Sequence, residues 1–352
     1  MKIKNGKIEL LRFIFSVFVL FFHVEKYILG ESSTSNGVHL GFATHGSIGV
    51  EFFFLLSGYF MARSVFKKNQ SNQPYDLGKD TFSFMKNKYM SIFIYHIIAF
   101  VIIFIEQMVI NKVSLVRSGI YLLKSIPGIL LIQIVGIGGY IPNHVEWYIS
   151  AMFVTLLILY PLCRKYYSMF VNVFAPIISL YTIGRLVASK KCLTGVLVLE
   201  GVFYRGLYRA VGEIALGAIL FEVTRNLMKK EYTSSQKRNM KICEIVCYGM
   251  VFAFIFTTAS KSFELQALIL LCIGLVMSFV SFSEKSILNN KFIYYLGKLS
   301  LGIYLCQMIA INFALELNIS VYSRALIAII LTISLAIICI VLGDKIKKKV
   351  TN

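Results

Sequence analysis

The chain has 352 residues, 57% of them hydrophobic and 15% charged, with 36 basic side chains against 17 acidic and a formal charge of +19. A soluble domain is nearer half apolar and a quarter charged, so an ordinary water-soluble fold is excluded. Nucleic acid is not an expected partner either. The basic residues form short clusters between apolar runs of 18 or more, whereas nucleic-acid binders gather theirs on a folded, water-exposed face.

The expected fold class is all-α: a polytopic membrane helical bundle of about ten transmembrane helices. The apolar runs lie at 8–27, 47–66, 89–110, 145–163, 168–188, 207–224, 242–260, 263–282, 299–317 and 322–343. An eleventh segment, 125–140, is shorter and contains Pro127, Gln133 and four glycines. If it does not cross, both termini and the even-numbered gaps share one side and collect about two thirds of the basic residues, among them Lys2, Lys4, Lys7, Arg63, Lys86, Lys88 and Lys345. If it crosses, most downstream basic residues move outside. The positive-inside rule therefore predicts a re-entrant or interfacial segment at 125–140 and a multi-pass protein of the bacterial cell (cytoplasmic) membrane with both termini cytoplasmic.

Residues 1–345 read as a single transmembrane domain, followed by a basic cytoplasmic tail, 346–352, with no length left for a separate soluble domain. The first run is too long for a signal h-region and lacks a small-residue cleavage site, so it is expected to be retained. The polar stretch 67–88 reads as a mobile loop. The seven cysteines fall mostly in apolar runs and show neither a disulfide framework nor a metal-binding pair. No metal and no tightly bound cofactor are expected.

Ionisable groups inside apolar spans are costly and mark functional candidates. The first run carries Glu9, Arg12, Ser16 and His23. At about 100° per residue, His23 returns to within about 20° of Arg12, and Glu9, Ser16 and Asn5 lie within about 60° of it. One polar stripe thus descends an apolar helix, with Arg12 near the cytoplasm and His23 about 16 Å farther along the axis. A snorkelling arginine and a buried structural histidine are the bland alternative.

The second run places Glu51 at the depth of His23, where a carboxylate beside the imidazole would fix its tautomer and raise its basicity. Gly46, Gly49, Ser57 and Gly58 let this helix approach a neighbour closely. The third run holds His96, which has no aligned partner and reads as structural. Trp147 opens another run beside His144 and Glu146, as an interfacial anchor would. Arg205, Arg209 and Glu213 rise at four-residue spacing, for which a mutual ion pair is the simple account. Ser300, Tyr304 and Gln307 share one helix face and either line a cavity or bond across helices.

Four stretches together resemble the acyltransferase family 3 integral-membrane proteins. They are Arg12 and His23 with ten residues between them, GVEFFFLLSGYF at 49–60, the single Trp147 opening a span, and LGKLSLGIYL at 296–305. The likeness runs in order from residue 7 to about 343. It implies a stand-alone enzyme, without an appended SGNH-type hydrolase domain, that moves acyl groups, commonly acetyl, onto hydroxyls of surface polysaccharides. Where the family often carries an RxxR motif, FMKNKYMSIFIY supplies Lys86 and Lys88. Gln307 stands where many members have a second histidine.

On this reading His23 is the base, steered by Glu51, and acyl-CoA enters from the cytoplasm with its phosphates near Arg12, Arg63, Lys86 and Lys88. Ser57, Trp147 and Tyr304 complete the expected donor and substrate contacts. The expected partners are the lipid bilayer, acyl-CoA and a carbohydrate acceptor. Two alternatives stand beside it: a transporter or flippase of a lipid-linked glycan, and an acyl-supplying membrane subunit working with a separately encoded partner.

Overall fold

The computed structural model describes residues 5–30, 43–71, 75–137, 139–190, 192–193, 195–257 and 263–351. Lys2 and Lys4, and the end of the run 242–260, lie outside the described residues. The helices begin where side chains satisfy free backbone N–H groups. Asn5 accepts from the Lys7 N–H at 3.1 Å and starts α1 (Gly6–Val24), which continues as a π-helical turn, Glu25–Leu29. A 3-10 turn, Gly46–Ile48, leads into α2 (Gly49–Asn69). Asp76 accepts from the Lys79 N–H at 2.9 Å and starts α3 (Leu77–Ile110). The stretch expected as a loop over 67–88 is therefore helical for about two thirds of its length, at the end of α2 and the start of α3. At 34 residues, α3 is about 51 Å long and projects beyond a bilayer core.

The chain continues through α4 (Leu115–Lys124), α5 (Ile126–Ile129), α6 (Trp147–Lys165), α7 (Tyr167–Met169) and, after a π segment at Phe170–Phe174, α8 (Ala175–Lys190). A hairpin of β1 (Leu199–Glu200) and β2 (Phe203–Tyr204) pairs antiparallel, Leu199 opposite Tyr204. It precedes α9 (Arg205–Leu227), α10 (Ser234–Ile255), α11 (Glu264–Val280), α12 (Lys291–Leu315) and α13 (Val321–Thr351). Thr233 and Gln236 form a capping box at α10, and the Asn290 side chain caps α12.

Among the described residues, six helical stretches are long and apolar enough to cross a membrane: Gly46–Asn69, Leu77–Ile110, His144–Lys165, Tyr167–Lys190, Lys291–Leu315 and Val321–Lys349. The other expected runs form helices too, but α11 has only 17 residues, and α1, α9 and α10 carry more charge. The stretch at α2 is 78% buried whereas that at α13 is 28% buried, so α2 is central and α13 peripheral. Apolar residues such as Leu180, Val109 and Ile330 stand outward from peripheral helices, a surface suited to lipid. The protein is thus a helical membrane bundle.

The segment 125–140 closes on itself. The Tyr140 N–H donates to the Lys124 carbonyl at 3.1 Å, and Ile134 N–H to Ser150 Oγ at 3.1 Å. A side chain at Gly139 would overlap the Lys124 carbonyl oxygen, so glycine permits the closure. The basic stretch from 346 is no separate tail among the described residues, because α13 continues through it to Thr351.

The central pair is α2 on α9. A Cβ at Gly58 would overlap the Ile214 carbonyl oxygen, and one at Gly217 the Leu55 carbonyl oxygen. Gly46 and Gly49 likewise seat the start of α2 on the Phe18 and Phe15 carbonyls of α1, where Phe15 stacks on Phe52 at 4.5 Å. Gly58→Val should therefore destabilise by about 1–3 kcal/mol through overpacking. Gly249→Ala, which meets no neighbour, should not. Thermal midpoints of the two variants in detergent provide the comparison, and equal midpoints would remove this account of the pairing.

Candidate active site

Two cavities lie on either side of Tyr304, which lines both. The first, of about 530 Å³, is bounded near the start of α1 and α12 and the end of α13. Its walls carry Arg12, Lys88, Lys298 and Lys347 against two carboxylates, Glu9 and Asp344. Both acids are engaged: Arg12 Nη1 is 3.0 Å from Glu9 Oε2, while Asp344 pairs with Lys298 and accepts from the Tyr95 hydroxyl at 2.6 Å. Lys88 has no carboxylate partner among the described residues. The positive excess suits an anionic, phosphate-bearing ligand. Ser57 also lines this cavity, but its hydroxyl donates to the Phe53 carbonyl at 2.8 Å.

The second cavity, of about 340 Å³, is lined by His23, Lys26, Tyr27, His144, Trp147 and Arg209 among others. His23 lies two residues before the π-helical segment Glu25–Leu29 that follows its helix. Its Nδ1 is 3.1 Å from Gln307 Oε1, and Gln307 Nε2 donates to the Tyr304 carbonyl at 3.0 Å. Because the amide spends its donor on a carbonyl, its oxygen faces the imidazole. His23 then carries its proton on Nδ1 and keeps the Nε2 lone pair free. The Tyr27 ring stacks parallel to His23 at 6.0 Å, and its hydroxyl bonds His144 Nε2 at 3.0 Å. Tyr304 donates to the Val145 carbonyl and forms the partition between the cavities.

The structure corrects several expectations. Glu51 does not meet His23. It is fully buried and pairs with Arg209 Nη2 at 2.5 Å, while Arg209 Nε reaches Glu213 Oε1 at 3.1 Å. A guanidinium attracts a buried carboxylate more strongly than a neutral imidazole does, and Arg209 projects from the helix packed directly on α2. Arg205, expected in the same cluster, turns to Glu200 at 2.7 Å and to the Cys192 carbonyl at 2.7 Å. Arg63 lies in neither cavity, because its face of α2 is turned away from the Ser57 face. Lys86 is exposed and lines neither.

Trp147 lines the His23 cavity and packs edge-on against Phe54 at 6.0 Å. His96 does have a partner, Glu146 at 2.9 Å, and its Nε2 meets the Ile129 carbonyl at 3.3 Å, tying α3 to the 125–140 segment. Gln307 is the partner the sequence reading missed; its shared face with Tyr304 was the available signal. Among the described residues no group of three or more His, Cys, Asp or Glu is placed to hold a metal ion.

Removing the positive centre of the Glu51–Arg209–Glu213 cluster leaves two carboxylates buried without a counter-charge. Arg209→Gln should cost about 3–5 kcal/mol of stability, and Glu51→Gln much less. Thermal unfolding in detergent ranks the two, and the reverse order would refute the assignment. The Ser189 hydroxyl, aided by Arg205 and Arg185, holds the Glu200 carboxyl below the usual carboxylate range. A depressed value means the stabilisation is complete above the unfolded value near 4.5 and is lost as pH falls through the lower, folded one. Amide exchange at 195–204 should therefore quicken on acidification below about pH 4. Exchange that ignores pH in this window, after correction for intrinsic rates, would exclude the Glu200 tether.

The model of the acyltransferase 3 family, described as an acyltransferase domain, matches residues 5–344, nearly the whole chain. No curated protein and no solved structure matched. With the matched region covering the second cavity, the Tyr304 partition and all of the first cavity's lining but Lys347, the chain belongs to the acyltransferase 3 family and is a membrane acyltransferase.

Proposed function

We propose that the protein transfers an acyl group, acetyl by family resemblance, from acyl-CoA to a hydroxyl of a cell-surface or lipid-linked polysaccharide. The observation that carries this reading is the pair of cavities meeting at Tyr304, one rich in cations and the other holding His23. In this reading about ten helices cross the cytoplasmic membrane of a bacterium, with both termini cytoplasmic, so the cationic cavity opens to the cytoplasm. Acyl-CoA phosphates bind near Arg12, Lys88 and Lys298. The acyl-pantetheine arm reaches past Tyr304 toward His23, about 16 Å farther along α1.

His23 Nε2 takes the proton from the acceptor hydroxyl as its oxygen attacks the thioester carbonyl. The tetrahedral intermediate collapses, the C–S bond breaks, and the CoA sulfur leaves with the proton returned by the imidazolium. The products are an ester and free CoA. Gln307 keeps Nδ1 protonated and so leaves Nε2 available. Glu51 has no part in this step; it holds α2 to α9 through Arg209.

His23→Ala should lower acyl transfer by about 100-fold or more in folded protein, the usual contribution of a general base. Wild-type turnover in that variant would exclude the assignment. Arg12→Ala should chiefly raise KM for acyl-CoA. Gln307→Leu should lower kcat with little change in that KM. A Gln307→Leu effect confined to KM would show that the amide binds donor and does not position the base. Purified protein assayed with acyl-CoA and a glycan acceptor measures all three, and transfer without a second protein would set aside the two-component alternative.

A further inference from the structure

A third cavity, of about 500 Å³, opens where the ends of α2, α9 and α11 meet the start of α1. It is separate from the cavity holding Arg12. On α2, the Ser57 face lines one and the Arg63 face lines the other, roughly 100° apart around the helix. Three cations line the third cavity, Arg63, Arg225 and Lys229, and no carboxylate does. Arg63 is exposed and has no ion-pair or hydrogen-bond partner among the described residues. Arg225 is held in place, its guanidinium 4.6 Å above the Phe66 ring and its Nε 3.0 Å from Glu222 Oε2.

The walls have a polarity gradient that repeats on two helices. Tyr59 precedes Arg63 by four residues on α2, and Phe221 precedes Arg225 by four on α9, with Lys229 just past the α9 end. Each ring therefore lies about 6 Å, one turn, farther from the helix end than its arginine. Phe279 of α11 closes this deeper layer, stacked on Tyr59 at 3.9 Å, with Phe221 edge-on to Tyr59 at 5.3 Å. Cations at the helix ends with aromatic carbon one turn deeper match a molecule with an anionic head and an apolar tail. A free phosphate would have no use for the deeper layer.

We propose that this cleft binds an anionic phospholipid of the adjoining leaflet, its phosphate between Arg63, Arg225 and Lys229 and the first part of an acyl chain against Tyr59, Phe221 and Phe279. The lipid would join the ends of α2, α9 and α11, and so brace the close-packed pair behind the catalytic cavities.

Native mass spectrometry of delipidated protein titrated with phosphatidylglycerol, with phosphatidylcholine as reference, tests the site. The Arg63→Gln/Lys229→Gln double variant should retain at least about five-fold less phosphatidylglycerol, with phosphatidylcholine retention unchanged. Lys237→Gln, an exposed cation at the start of the neighbouring α10, should behave as wild type. The melting midpoint in phosphatidylcholine alone reports folding, and Arg63→Lys, which keeps the charge, supports the site if it restores retention. Equal phosphatidylglycerol retention by the double variant would overturn the proposal. So would displacement of the lipid by millimolar inorganic phosphate, which would identify a simple anion site. A double variant that loses CoA affinity while keeping the lipid would also overturn it, because the cleft would then belong to the donor.

Discussion

A buried charge in lipid needs a partner, and the Arg209 guanidinium between Glu51 and Glu213 meets that demand at the centre of the bundle. It joins α2 to α9 along the seam where Gly58 and Gly217 let the two backbones touch. Small residues supply close packing and the ion cluster fixes the register, so α2 has one position. That position turns one face toward the Arg12 cavity and another toward the cleft around Arg63.

The second constraint is the contact between α1 and α12. The Gln307 amide joins His23 to the Tyr304 carbonyl, so a single side chain determines which imidazole nitrogen is free and how α1 meets α12. Glu9 sits against Gly297 lower on the same pair of helices, where a Cβ would collide with its carboxylate. The polar stripe of α1 is thus read by α12 along its length: ion chemistry near Arg12 and neutral hydrogen bonding near His23. In the proposed reaction, a neutral partner for His23 suits a base that carries charge only transiently during transfer.

Tyr304 divides the space between these two chemistries. Its phenol is tied to Val145 and its ring meets Tyr148 at 5.7 Å. A cationic chamber lies on one side and a histidine chamber on the other, which in the proposed reaction would keep the donor phosphates away from the reacting centre. In the proposed reaction this separation lets the long arm of the donor, and no protein movement of comparable size, carry the acyl group.

Much of this was legible in the chain. Apolar runs too long for soluble helices identified a helical membrane bundle, the 100° repeat put Arg12 and His23 on one face of α1, and glycine spacing located the close approach of α2. These are local properties, set by period and composition. The pairing of Glu51 with Arg209, of His23 with Gln307 and of His96 with Glu146 joins residues far apart in sequence. Sequence depth alone placed Glu51 and His23 at the same level. Which side chains each would meet depended on packing, and in a low-dielectric interior the nearest full charge, Arg209, takes the carboxylate. For the same reason Arg63 does not join the Arg12 cavity: a helix has several faces, and only its neighbours decide which cavity each one meets.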